Sequence, residues 1–248
     1  MSTHNREMPQ AIGQELETDS RRIELYSAVM TLIANMEGVV LDKKQKMAAA
    51  TIGGAMCPYD SVFDSYDIRT ARANGQEILD VLSGDSVGEH LDPITHRALE
   101  LAQDNLNQGA MEALRDLTLA QIDSVKQREG NIELSELKDI TKRKGANTAL
   151  IFALEVSPDM SIKKRECYEE LGFLFQLVDD FHDVHNDKDE GIITLATLSE
   201  GTTELAQHIQ TQYKKVRGMF TQNYEAYQLV DFFIYLDKLV AGIGFLRN

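Results

Sequence analysis

Residues 172–187, GFLFQLVDDFHDVHND, read as one helix in which an apolar run gives way to a cluster of carboxylates. At about 3.6 residues per turn, Asp179, Asp183 and Asp187 recur at i, i+4 and i+8 and share one face. Gln176 lies one turn earlier on nearly the same stripe, and Asp180 lies at its edge. Like charges one turn apart repel each other and destabilise a helix. The stripe therefore predicts contact either with open water or with a hard cation.

The residues around these carboxylates favour contact with a hard cation over contact with open water. A solvated helix face usually interleaves lysines with its acidic residues, whereas apolar side chains crowd this segment: Phe173, Phe175, Val178, Phe181 and Val184. Much of the helix is therefore expected to be buried. Carboxylates aligned beside a core are typical of Mg²⁺ sites, because Mg²⁺ binds one or two carboxylates and completes its shell with water and substrate phosphates. A solvated face is the alternative.

Composition limits the class of protein. A chain of 248 residues, 43% of them hydrophobic, allows one large domain or two small ones. The net charge of −15 argues against a nucleic-acid partner held by basic patches. Cys57 and Cys167 do not make a disulfide framework or a Cys-rich zinc site. No apolar run reaches transmembrane length and the polar start is no signal peptide, which predicts a cytoplasmic protein without a membrane span.

The rest of the chain predicts helices. Residues 1–18 are polar and unpatterned and are expected to form a flexible tail, followed by one domain over 19–248. Capping residues begin several of the predicted helices: Ser20, Asp42, Asp92 and Ser161. The last predicted helix covers 223–245. The simplest architecture is a single all-α bundle of about eight to ten helices.

A second carboxylate stripe is predicted further upstream. Pro58 is expected to kink or restart the helix that contains it. The next predicted helix, 59–82, carries three aspartates at i, i+4 and i+7: Asp60, Asp64 and Asp67. Arg69 follows them on that helix. Two carboxylate-bearing helices in one α-bundle suggest a shared cavity with metal ions between them.

Two other classes of α-helical metal protein fit less well. Ferritin-like di-iron bundles need paired Glu-x-x-His motifs, and the chain offers Asp179-x-x-His182 but no Glu-x-x-His. A metal-dependent phosphohydrolase is suggested by the His182–Asp183 pair. No histidine lies between His96 and His182 to complete such a site.

The stretch from Phe175 to Asp183 resembles the second aspartate-rich motif of the trans-isoprenyl diphosphate synthases, Phe-Gln-x-x-Asp-Asp-x-x-Asp, a family of class I isoprenoid synthases. The following Gly191-Ile-Ile-Thr194-Leu195 is similar to the family's Gly-Lys-x-Thr-Leu-Pro. Lys144, about 35 residues upstream of Asp179, lies where the family keeps a diphosphate-binding lysine. The resemblance is specific over about residues 135–200.

The first aspartate-rich motif of the family, Asp-Asp-x-x-Asp, has an imperfect counterpart. Tyr59-Asp60-Ser61-Val-Phe-Asp64 occupies its place, with serine at the second position. The paired arginines expected after it are missing, and Arg69 is at best a spaced substitute. The N-terminal Gly-Gly-Lys-Arg segment that helps bind isopentenyl diphosphate is also not found. The missing isopentenyl diphosphate residues favour cyclisation, and the intact second motif in its elongation-type form favours elongation or prenyl transfer; either reaction ionises a diphosphate.

The resemblance implies an all-α, single-domain isoprenoid-synthase-type bundle with a central cavity and a homodimeric assembly. It implies a Mg²⁺-dependent prenyltransferase that ionises an allylic prenyl diphosphate. The implied metal ligands are Asp60, Asp64, Asp179 and Asp183. The implied substrate-binding residues are Lys144, Arg69, Gln176 and Asp180. No single catalytic residue is assigned.

The residues also offer candidates for an apolar cavity that shields the carbocation from water: Phe63, Phe175 and the small-residue run 48–55. Ordinary core packing explains each of them as well. Two other functions stay open. One is a terpene synthase that cyclises a single prenyl diphosphate, and the other, motivated by Ser61, is a non-catalytic partner subunit of a prenyl synthase.

Overall fold

The computed structural model describes residues 11–63, 67–199 and 202–244, and every regular element in these ranges is helical. The prediction of an all-α protein is thereby confirmed. The α-helices are α1 (11–15), α2 (Ser20–Glu37), α3 (Lys43–Ser61), α4 (Ile68–Ser83), α5 (Pro93–Asn105), α6 (Gln108–Ser124), α7 (Leu134–Val156), α8 (Ile162–Glu190), α9 (Leu195–Leu198), α10 (Thr202–Asn223) and α11 (Val230–Gly244). Short 3₁₀ turns cover Val125–Arg128 and Ala226–Leu229. Among the described helices, none is both long enough and apolar enough to cross a membrane.

The chain divides into two compact units. The first comprises the described residues up to Ile122 together with Ile151–Pro158. The second comprises Asp123–Leu150 and the described residues from Asp159 onward. The single domain expected over 19–248 stays a prediction.

Side-chain caps determine where most of the predicted helices begin. Asp42 caps α3 in a reciprocal capping box, Asp92 caps α5 ahead of a proline in the first turn, and Ser161 caps α8. The cap of α2 is Asp19 rather than Ser20, because the Asp19 carboxylate accepts a backbone N–H of the first turn at 2.9 Å. The predicted last helix, 223–245, begins later than expected: α10 ends at Asn223, a 3₁₀ turn follows, and α11 begins at Val230.

The expected flexible tail is corrected for residues 11–18, while residues 1–10 lie outside the described ranges. Residues 11–15 are helical, and Ile12 and Leu16 are buried. Both side chains belong to a core cluster with Ile23, Ala50 and Ala98. Burial of these apolar side chains stabilises the packing of residues 11–18 within the first unit. The apolar residues of this segment are scattered among polar ones, so their spacing did not predict that they would be buried.

The helix that contains Pro58 does not restart there. Helix α3 runs through Pro58 and ends at Ser61. Proline has no N–H to donate to the carbonyl of residue 54, four positions earlier. The Thr18 hydroxyl donates to the Gly54 carbonyl at 2.9 Å instead. A residue from the expected tail therefore supplies the hydrogen bond that the proline cannot make.

Candidate functional site

Helix α8 carries the carboxylate stripe in the second unit, between its N-cap Ser161 and Gly191, which ends it in the left-handed conformation at φ 70°. Of the apolar residues expected to be buried, Val178 and Phe181 are buried, whereas Phe173, Phe175 and Val184 are half-buried. Asp179 and Asp183 are exposed, Asp187 is half-buried and Asp180 is buried. The helix therefore presents two carboxylates to solvent and keeps a third inside.

Helices α7 and α8 meet backbone to backbone at Gly145 and Gly172. A Cβ added to either glycine would collide with the carbonyl group of the other. A Cβ on Gly145 would also lie 2.9 Å from the Cβ of Gln176. Because only glycine allows such an approach, this crossing brings Lys144, the neighbour of Gly145, to the carboxylate end of α8.

The Lys144 ammonium group affects the pKa of three of these carboxyl groups. Its positive charge lowers the pKa of Asp179, Asp180 and Asp187, although other effects outweigh it at each. Lys144 itself is half-buried. The structure thus gathers, within one unit, the sequence-predicted residues Lys144, Gln176, Asp179, Asp180 and Asp183. A cation beside a row of carboxylates provides positive charge for a phosphate group that a metal brings to the same face.

Asp180 is a buried carboxylate that is only partly satisfied. Its side chain is 7% exposed, and its Oδ1 accepts a hydrogen bond from Gln176 Nε2 at 3.0 Å. Its Oδ2 has no partner in the described part of the chain. Burial raises the pKa of Asp180 to about 7, against the opposing effects of Gln176 and Lys144. Leaving a buried carboxylate oxygen unpaired is costly, which indicates a place for a donor or a cation.

Asp179 and Asp183 form the exposed pair. Loss of hydration raises the pKa of Asp179, and the negative charge of Asp183 one turn later raises it further. The positive charge of Lys144 opposes both effects. Gln176 Nε2 lies 3.5 Å from Asp179 Oδ2.

Two exposed carboxylates are the donor set that α8 offers to a cation. Within residues 11–63, 67–199 and 202–244, no three His, Cys, Asp or Glu side chains come together as a metal-binding group. What α8 offers is the exposed pair Asp179 and Asp183, one turn apart, whereas the unpaired Asp180 oxygen is buried. Mg²⁺ commonly takes one or two carboxylates and leaves its other positions to water and substrate phosphates.

Asp187 is the third carboxylate of the predicted stripe, and Thr194 lies in the loop that is similar to the family's Gly-Lys-x-Thr-Leu-Pro. Thr194 Oγ1 accepts the Thr197 backbone N–H at 3.2 Å, and the Thr194 side chain also lowers the pKa of Asp187. Burial nevertheless raises the pKa of Asp187, and Asp183 adds to the rise.

The predicted upstream residues belong to the first unit and do not form one stripe. Asp60 lies near the end of α3, where its Oδ1 accepts a hydrogen bond from Gln121 Nε2 at 3.2 Å. Asp67 is the N-cap of α4 and accepts the Arg69 backbone N–H. The single helix predicted over 59–82 is therefore wrong, and the exposed Arg69 lies on a different helix from Asp60. Asp64 lies outside the described residues.

An apolar cavity of about 30 Å³ lies within the first unit. Its walls include Thr51, Ile52 and Ala55 of the predicted small-residue run. The Thr51 hydroxyl is buried and finds no hydrogen-bond partner among the described residues. A volume of this size has room for about two water molecules, which is too small for a prenyl chain.

The two aromatic cavity candidates pack elsewhere. Phe63 is buried against the ring of Tyr59, with 5.4 Å between ring centroids. Phe175 is half-buried, and its ring meets that of Tyr235 edge to face at 6.5 Å. Neither ring lines the cavity beside Thr51. Ordinary core packing accounts for both.

Comparison with known proteins adds no relative: no family model matches the chain, and neither the curated proteins nor the solved structures contain a significant match. The resemblance to class I isoprenoid synthases therefore stays a prediction. It rests on the residues of 135–200.

Proposed function

We propose that this chain is a Mg²⁺-dependent class I isoprenoid synthase-type enzyme, a prenyltransferase that ionises an allylic prenyl diphosphate. One observation carries the proposal. The Gly145–Gly172 crossing packs the helix that carries Lys144 against α8, and the positive charge of Lys144 lowers the pKa of Asp179, Asp180 and Asp187. This is the arrangement that binding of a metal-diphosphate group requires, because the metal bridges two negatively charged partners.

In this proposal Asp179 and Asp183 hold Mg²⁺, which neutralises the charge that develops on the departing diphosphate. Lys144 binds diphosphate oxygens directly. Asp180 and Gln176, whose side chains hydrogen-bond each other at 3.0 Å, keep the substrate-binding roles that the family resemblance implies. Asp60, Asp64 and Arg69 keep the roles that the family resemblance implies. A single domain with a central cavity, a homodimeric assembly and a cytoplasmic location belong to the same proposal.

Two observations favour other functions. The residues that bind isopentenyl diphosphate in chain-elongating members are missing from the sequence, which favours a terpene synthase acting on a single prenyl diphosphate. Ser61 replaces a carboxylate of the first motif, and its hydroxyl donates to the Pro58 carbonyl at 2.7 Å. That position therefore contributes no metal ligand, which favours a non-catalytic partner subunit.

A turnover assay separates the three candidate functions: prenyl transfer, cyclisation and a non-catalytic partner subunit. The purified protein is incubated with ten-, fifteen- and twenty-carbon allylic diphosphates and Mg²⁺, with and without isopentenyl diphosphate, and released pyrophosphate and organic products are measured. Prenyl transfer predicts release only with both substrates, and cyclisation predicts a hydrocarbon or alcohol from one. Asp179→Ala should abolish release, whereas Asp231→Ala, at an exposed position in the first turn of α11, should not. Unchanged turnover in Asp179→Ala would refute the metal assignment.

A further inference from the structure

Helix α11 has two apolar faces, and within the described part of the chain only one of them is covered. Phe232, Leu236 and Val240 recur one turn apart and are buried. On the opposite side, Val230 is 54% exposed and Ile234, one turn later, is 49% exposed. A helix that is apolar all round is normally buried all round, and exposed apolar patches mark interaction sites. The exposed face of α11 is therefore a candidate interaction surface.

This exposed face continues along most of the helix. Ala241 is exposed two turns after Ile234, and Tyr227, in the 3₁₀ turn just before α11, is 79% exposed. Val230, Ile234 and Ala241 are separated by four and seven residues, which is the spacing of a seam between two packed helices. We call these three residues the outer face of α11.

Three charged residues lie on α11, and one of them is already paired within the chain. Arg217 of α10 forms an ion pair with Asp237 at 2.8 Å, which neutralises that carboxylate. Asp231 and Lys238 lie together along one edge of the outer face and are both exposed. Neither forms an ion pair with another described residue. These two charges are therefore available to a partner.

The positions of Asp231 and Lys238 are self-complementary. They lie at equal distances before and after the midpoint between residues 234 and 235. When two copies of α11 pack antiparallel about a twofold axis at this midpoint, residue 231 of each copy lies opposite residue 238 of the other. An aspartate then meets a lysine at both ends of the contact, and the two Ile234 side chains meet near its centre.

We propose that the outer face of α11 is an interface between two copies of this chain, packed antiparallel about residues 234 and 235. The inference goes beyond the proposed function, because α11 contains no residue of the diphosphate site and the family resemblance implies a homodimer without assigning its surface. A lipid surface fits this face less well. Interfacial helices bind anionic lipids through several basic side chains, whereas α11 carries one lysine and the chain has a net charge of −15.

Charge reversal tests the pairing on the full chain, with molar mass followed by sedimentation equilibrium. The wild type should form dimers at micromolar concentrations. Asp231→Lys places two lysines opposite each other at both ends of the contact, and Lys238→Asp does the same with aspartates. Each variant should therefore dimerise about tenfold more weakly than the wild type, because like charges across an interface repel. An equimolar mixture of the two variants restores both opposite-charge pairs and should form heterodimers with wild-type affinity.

Ile234→Asp tests the apolar centre of the contact. Two carboxylates would meet there, so this variant should stay monomeric at concentrations at which the wild type is a dimer. Ile162→Asp is the matched control, since Ile162 is 78% exposed at the first position of α8 and lies outside the outer face. It should dimerise as the wild type does. All four substitutions alter exposed positions, and circular dichroism should show the wild-type helix content in each.

Three outcomes would overturn the inference. The wild type could stay monomeric throughout, whether or not it binds phosphatidylcholine vesicles; the two charge variants could associate no better together than alone; or the dimer could survive Ile234→Asp and so use another surface. The proposed function is measured separately, by pyrophosphate binding with Mg²⁺. Because the diphosphate site lies on α8, substitutions of Asp231 should leave that binding unchanged.

Discussion

Gly145 and Gly172 are in backbone contact across the α7–α8 crossing, with no room for a side chain on either. This contact brings Lys144 to the carboxylates of α8. Gly145→Ala should therefore force the helices apart and lower the free energy of unfolding by roughly 1–3 kcal/mol, the usual cost of overpacking. Denaturant unfolding measures the loss.

Gly218→Ala is the matched control for that experiment. Gly218 lies inside α10, and a Cβ added there would meet no described atom within 4 Å. Alanine should stabilise this helix by about 0.5–1 kcal/mol, since glycine loses more backbone freedom on folding. A Gly145→Ala protein as stable as the wild type would show that the two helices are not in contact.

Asp180 lowers the stability of the protein when it is charged. Its pKa is raised to about 7 by burial, so the folded state binds a proton more tightly than the unfolded state. The stability of the wild type should then fall as the pH rises from about 4 to about 7. Asp180→Asn removes this titration. Relative to the wild type, the variant should gain roughly 2–4 kcal/mol between pH 4 and pH 8.

Chemical denaturation in metal-free buffer at the two pH values tests this prediction. A stability difference between wild type and Asp180→Asn that is constant with pH would show that Asp180 titrates normally. Pyrophosphate binding with Mg²⁺ should weaken in the same variant if Asp180 contacts the ligand. Asp180→Asn would then make the protein more stable while weakening its binding of pyrophosphate.

Glu170 has the opposite pH dependence. Burial opposes its ionisation, but hydrogen bonds from Lys142 Nζ at 2.8 Å, Lys215 Nζ at 2.7 Å and Gln212 Nε2 at 2.8 Å outweigh burial and lower its pKa to about 2. The charged form therefore stabilises the fold above the unfolded-state pKa near 4.5. That stabilisation is lost as the pH falls from about 4.5 towards 2.

Glu170→Gln should accordingly destabilise the protein by roughly 2 kcal/mol at neutral pH, with allowance for two lysines that are about half exposed. The difference from the wild type should shrink in acid. Denaturation midpoints at pH 6 and pH 3 provide the comparison. A stability difference between the wild type and Glu170→Gln that grows on acidification would contradict the conclusion that the ionised Glu170 side chain stabilises the fold.

Thr18 and Pro58 should be energetically coupled. Thr18→Val removes the hydroxyl that bonds the Gly54 carbonyl, and should cost about 1 kcal/mol. Pro58→Ala supplies a backbone N–H that can bond the same carbonyl. Thr18→Val should therefore cost less when Pro58 is already alanine, and a double-mutant cycle measures the difference. Strict additivity would show that the two residues do not serve the same carbonyl.

Helix α8 was predictable because its information is local. A run of apolar residues, a serine cap and a glycine stop are read directly from neighbouring positions. The carboxylate face follows from helical periodicity alone. The same is true of the caps at Asp42 and Asp92, whose partners lie within three residues.

Features that depend on distant residues were missed. Pro58 predicts a break because nothing nearby satisfies the Gly54 carbonyl, and only the fold shows that Thr18 does so from 36 positions away. Ile12 and Leu16 form no pattern by themselves, and their burial depends on surfaces offered by other helices. The hydrogen bond from Gln127 Nε2 to the Ile193 carbonyl likewise joins residues that are 66 positions apart.

The most direct test of the central claim is a thermal-unfolding measurement with Mg²⁺ and inorganic pyrophosphate, added separately and together. If Lys144 and the α8 carboxylates bind a metal-diphosphate group, the two together should raise Tm by more than the sum of their separate effects. Asp183→Asn and Lys144→Gln should abolish the extra rise, and Asp231→Asn should retain it. An unchanged Tm in the wild type, or the same rise in Asp183→Asn, would contradict the claim.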